Sequence, residues 1–144
     1  MPEKETIERA KEDKAEGKAA STQAGEFVRE EMEHIREGKH GARSPQQAIA
    51  IGLSKARRAG VDLPPPRKGT TSEATRKRAE RDLEKGESGK QKKPSTKRSR
   101  ATLAALKREP RSAASKSALS KQAKQAAARR RARGKTTASR KSRG

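Results

Sequence analysis

Apolar positions fall into two helical stripes in the first half of the chain and then thin out. Phe27, Val28, Met32 and Ile35 recur near three- and four-residue spacing, with Arg29, Glu30, Glu33 and Arg36 on the other faces. Ser21 or Thr22 is placed to cap this helix, and Gly38 follows its end. The next stripe has clearer punctuation. Ser44, Pro45 and Gln47 supply an N-cap, a proline at the first helical position and a capping-box partner; Gly60 closes the helix, and Arg57 and Arg58 face the negative end of its dipole. Between those marks Ile49, Gly52, Leu53 and Ala56 form a flat face of small residues. A glycine inside a helix costs about 1 kcal/mol relative to alanine, a cost usually accepted where a second backbone comes close. The six residues Lys39 to Ser44 suit antiparallel neighbours. The pattern predicts a helical hairpin in which Phe27, Val28, Met32 and Ile35 cover Ile49, Leu53 and Ala56.

The flanks are less patterned. Residues 1–20 read as a charged helix, and from Glu5 to Lys18 its only large apolar residue is Ile7. Repulsion between Glu8 and Glu12, and between Glu12 and Glu16, should fray it unless it packs on something. Pro64, Pro65 and Pro66 begin a stiff spacer. Ser72 can cap a helix ending near Gly86, but Leu83 is its only large apolar residue, so residues 64–87 are read as a Pro-rich spacer with a charged, solvated helix. Residues 88–144 are rich in Ala, Lys, Arg and Ser. Pro94 and Pro110 interrupt them, and helix over 101–107 and 115–133 is expected chiefly on a polyanion. The predicted fold is thus mainly α: a short helical hairpin over 21–63, a spacer, and a largely disordered or conditionally helical basic C-terminal tail.

Composition explains the thin pattern. Leu, Ile, Val and Phe number 13 of 144 residues, about 9%, against the roughly 20% below which a highly charged chain tends to stay unfolded. A core that small points to self-association, or to a protein partner docked on the hairpin.

Charge separates the halves and suggests the main partner. Residues 1–66 hold 12 Lys/Arg and 12 Asp/Glu, whereas residues 67–144 hold 27 and 6, which accounts for the whole net charge of +21. Such a segment calls for a polyanion, and DNA is the leading expectation, with RNA as the alternative. Phe27 is the only aromatic residue, so the stacking platforms of single-strand readers are missing and phosphate contacts are favoured over base contacts. The candidate contacts are Lys92, Lys93, Lys97, Arg98, Arg100, Lys107, Arg108, Arg111, Lys116, Lys121, Lys124, Arg129, Arg130, Arg131, Arg133, Lys135, Arg140, Lys141 and Arg143, with Lys55, Arg57 and Arg58 as auxiliaries. A helix-turn-helix, with Gln46, Gln47, Lys55, Arg57 and Arg58 at the groove, is the weaker reading because its loop would exceed three to four residues.

The box running from Arg43 and Ser44 through Gln47-Ala48-Ile49-Ala50-Ile51-Gly52-Leu53-Ser54-Lys55-Ala56-Arg57-Arg58-Ala59-Gly60 resembles the signature of an uncharacterised family of small basic bacterial proteins. Members carry labels such as plasmid stabilization protein or DNA-binding protein. The resemblance covers about Phe27 to Pro66 and implies a bacterial origin and a DNA-related role. The tail is similar in composition to linker-histone and bacterial histone-like tails.

Little points to chemistry. Cysteine is absent, and His34 and His40 are read as solvated surface residues rather than metal ligands. Gly134-Lys135-Thr136-Thr137 matches the end of a phosphate-binding loop, but Arg129 stands where that pattern requires glycine. The expectation is a non-enzymatic protein without cofactor, signal peptide or membrane-spanning segment, located in the cytoplasm and associated with the nucleoid.

Overall fold

The computed structural model describes residues 2–89 and 95–142, with side chains up to Gly134. Among the described residues six α-helices follow one another: α1 (Lys4–Ala15), α2 (Ala20–Arg36), α3 (Pro45–Arg58), α4 (Glu73–Ser88), α5 (Thr96–Lys107) and α6 (Lys116–Ser142), with a 3-10 turn at Ser112–Ala114 before the last.

The α2–α3 pair forms the centre. Ser44 Oγ accepts from the Gln47 amide at 3.2 Å, and Gln47 Oε1 accepts in return from the Arg43 amide at 2.6 Å, so both ends of the cap are satisfied. Helix α2 begins at Ala20, ahead of Ser21 and Thr22, and neither of these caps it. Phe27 packs with Ala56, and Met32 and Ile35 with Ala48, which sets the helices antiparallel. Gly52 lies against α2 so closely that a Cβ there would stand 2.7 Å from the Val28 Cα. This is the backbone approach that a glycine within the helix implies.

Helix α1 is packed, not frayed. It lies along α2, burying Thr6, Ala10 and Asp13, and contributes Ala10 to the cluster of Ala24, Phe27, Ala56 and Val61. The Glu3 amide donates to Glu30 Oε1 at 2.6 Å, and Lys18 Nζ donates to Asp13 Oδ1 at 2.8 Å, which fixes both ends of the helix.

Helix α4 packs on α3, so the spacer reading of residues 64–87 fails. Asp82, 3% exposed, accepts from Ser54 Oγ at 2.6 Å and from Arg58 Nε at 2.8 Å. The attachment is polar and rests on small residues. Ala79 is buried, and a Cβ on Gly86 would overlap the Arg57 carbonyl. Even the proline segment is tied down, because Arg57 donates to the carbonyls of Leu63 (3.2 Å) and Pro64 (3.1 Å).

The largest correction concerns the tail, which is helical and joined to the core rather than largely disordered. Ser95 caps α5 by accepting from the Arg98 amide at 3.2 Å, and Ser115 caps α6 by accepting from the Ala118 amide at 3.1 Å. Between these helices the chain meets the α2–α3 loop. The Gly41 amide donates to Leu106 at 2.8 Å and the Ala42 amide to Pro110 at 3.0 Å. Arg111 donates to the carbonyls of Ile35 (3.2 Å) and Arg36, while Arg36 Nε donates to Ala114 at 3.1 Å. Ala113 and Ala114 are buried with Met32, Ile35, Ala42 and Ala48, and Leu119 packs beside them. The core therefore draws on both sides of the prolines. Docking orders the end of α5 and the start of α6, and the alanine content of α6 sustains the helix against cationic repulsion.

Candidate nucleic-acid interface

Helix α6 carries ten Lys/Arg and no Asp/Glu, and α5 carries four with no acid. Lys97, Arg98, Arg100, Lys107 and Arg108 are exposed on and just after α5. Lys116, Lys121, Lys124, Arg129, Arg130, Arg131 and Arg133 are exposed on α6. At 100° per residue these α6 positions encircle the helix instead of forming one stripe. Lys135, Arg140 and Lys141 lie on the same helix, beyond the described side chains, and Lys92, Lys93 and Arg143 fall outside the described residues.

Other candidates have intramolecular roles. Arg111 holds the C-terminal carbonyls of α2. Lys55 pairs with Glu31 and Arg58 with Asp82. Arg57 is 7% exposed, and burial lowers its pKa below the ordinary arginine value. Helix α3 lies between α2 and α4 with Ala48, Gly52, Ala56 and Arg57 buried, so a recognition helix at Ser44 to Ala59 has no clear face to present. The hairpin residues Phe27, Val28, Met32, Ile35, Ile49, Leu53 and Ala56 all pack within the chain's own two clusters.

The acids are largely drawn inward or paired. Glu30, Glu31, Asp13 and Asp82 are buried, and Lys18, hydrogen-bonded first by Asp13 and then by Glu16, is raised above the usual lysine range. Cations dominate the C-terminal helices because α5 and α6 contain no acid. Two basic depressions add to this surface, one lined by Arg36, Arg111, Ser112, Ser115 and Lys116, the other by Arg58, Arg78, Arg81 and Lys85 around Asp82. Sequence reasoning passed over Arg78, Arg81 and Lys85, although their spacing of three and four residues places them on one helix face. The nearly balanced charge of residues 67–87, 7 basic against 5 acidic, concealed them.

The histidines depart further from expectation, since His40 is buried and His34 half-buried. His40 is 9% exposed, the side chain of His34 is 14% exposed, and their rings meet edge to face with centroids 6.1 Å apart. His34 Nε2 lies 3.3 Å from Glu3 Oε1, and this hydrogen bond is the main cause holding the Glu3 carboxyl below its ordinary pKa. Glu31, 1% exposed, joins them, and one ligand atom from each of Glu31, His34 and His40 lies within 4.8 Å of the others. The signal in the sequence is the pair Glu31 and His34, three apart on one face of α2.

Residues 11–68 match the profile of a family of unknown function (DUF6496). The match spans the last turns of α1, all of α2 and α3, and the proline segment. That description carries no function, and so lends nothing to the plasmid-stabilization and DNA-binding labels. No curated protein and no solved structure matches the chain. Among the described residues no helix is long and apolar enough to cross a membrane.

Proposed function

We propose that the chain is a non-enzymatic DNA-binding accessory protein of the bacterial cytoplasm, nucleoid-associated or of plasmid-maintenance type, that holds duplex phosphates largely without reading sequence. The observation carrying this reading is α6: ten cations and no acid on a helix whose start is docked on the core. Contacts of that kind position a protein on DNA without selecting bases. A helix about 10–12 Å across fits a major groove about 12 Å wide, whose two phosphate walls flank it, so charges encircling the helix can be used on both sides.

Salt dependence tests the proposal. If about 8 cations contact phosphates, log affinity of the full chain for duplex DNA should fall against log salt with a slope near −7. Replacing Arg129, Arg130, Arg131 and Arg133 together by glutamine should make the slope shallower by about 3 to 4, while scrambling the DNA sequence changes little. A slope near zero, or a quadruple variant indistinguishable from the parent, would sink the reading. Clearly tighter binding to structured RNA at equal salt would replace DNA with RNA as the ligand.

A further inference from the structure

We propose that Glu31, His34 and His40 form a zinc site that fastens the α2–α3 loop to α2. The argument starts from the tautomer of His40. Its Nδ1 lies 2.9 Å from the Gly41 carbonyl. A carbonyl only accepts, so Nδ1 carries the hydrogen and the neutral ring keeps its lone pair on Nε2. That lone pair faces Glu31 Oε2 at 3.3 Å. Two lone pairs at such a distance repel unless a cation stands between them or a proton sits on Nε2.

Geometry favours the cation. A protonated ring would donate to that carboxylate oxygen in good alignment. Here the separation is 3.3 Å, and Glu31 Oε2 is buried without a hydrogen-bond partner. Zinc bonds of about 2.0–2.1 Å at tetrahedral angles place neighbouring ligand atoms about 3.3 Å apart. The third ligand comes from His34, one turn along α2. The surrounding contacts are those of a metal-bound histidine: His40 donates its other nitrogen to a backbone carbonyl, and the His34 ring is held by the Glu3 carboxylate. Lys55 sits on the opposite carboxylate oxygen, Oε1, so it orients Glu31 without occupying the ligand position. Two imidazoles and a carboxylate are an ordinary donor set for zinc.

The site matters because of what lies next to His40. Gly41 and Ala42 receive the C-terminal segment through their amides, so a metal on His40 stiffens the strip of backbone on which that segment docks.

The test uses the untagged full chain, stripped with chelator and titrated with ZnCl2. One zinc per chain should survive gel filtration, the melting temperature should rise by several degrees, and cobalt in place of zinc should give the visible absorption of a tetrahedral site. E31Q and H40Q should each lose at least tenfold in zinc affinity. H34Q should do likewise, and because that side chain is partly exposed it supplies a well-folded variant, with helicity checked by circular dichroism. K121A, on the exposed surface of α6, should retain the zinc. A parent chain that keeps no zinc after gel filtration, or folded E31Q and H34Q variants that bind as much as the parent, would overturn the proposal.

Discussion

Two glycines inside helices have opposite surroundings. An alanine at position 52 would gain about 1 kcal/mol of helix propensity, but its Cβ would press to 2.7 Å on the Val28 Cα and 2.9 Å on the Val28 amide nitrogen. Overpacking against backbone costs about 1–3 kcal/mol, so G52A should be net destabilising by up to about 2 kcal/mol. Gly25, in the interior of α2, has open space where a Cβ would go, and G25A should instead stabilise by up to about 1 kcal/mol. Urea unfolding of both variants against the parent checks the pair, and two shifts of the same sign would refute the packing account. Gly52 was legible in the sequence because a glycine between capped helix ends implies a close neighbour. Glu31 and Arg57 were not, since charged residues on a helix are ordinarily solvated and only the tertiary fold shows these two buried.

The capped α3 and its pairing with α2 follow from apolar spacing and Ser44, whereas the docking of α4 and of the segment before α6 does not. Those attachments use Ala79, Ala113, Ala114, backbone carbonyls and ion pairs, none of which produces a hydrophobic stripe. A reading that weighs Leu, Ile, Val and Phe therefore takes the tail for unfolded chain. Arg111 shows the difference experimentally. R111A removes charge-assisted hydrogen bonds to the last α2 carbonyls and should lower unfolding stability by about 2 kcal/mol. K121A, on exposed α6, should stay within about 0.5 kcal/mol of the parent. Equal stability of the two variants in guanidinium melts would mean that Arg111 is no more structural than its basic neighbours.

In the whole molecule the charge asymmetry remains, but it no longer marks a boundary between folded and unfolded parts. Met32, Ile35 and Ala48 in the charge-balanced half are covered by Ala113, Ala114 and Leu119 from the basic half. Truncation after Gly89 should uncover that cluster. The shortened chain is expected to melt earlier and to bind a hydrophobic dye that the full chain does not, and an unchanged melting temperature would show the C-terminal segment to be a passenger. The DNA-binding proposal then has a mechanical basis, because a load on α6 passes through Ser115, Ala114 and Arg111 into the end of α2 rather than into a flexible joint.

The hydrogen bond from the Gly41 amide to Leu106 also has a bearing on biosynthesis. Leu106 is translated on the order of several seconds after Gly41 at ordinary rates of chain growth, and neither partner can be satisfied by the other until then. During that interval the nascent chain holds α2 and α3 with Met32 and Ile35 still without their C-terminal cover. Long-range closure of this kind slows folding relative to the local pairing of α1 with α2 and of α2 with α3. The basic helix that would engage a polyanion is thus secured last, when most of the chain it anchors to has already been made.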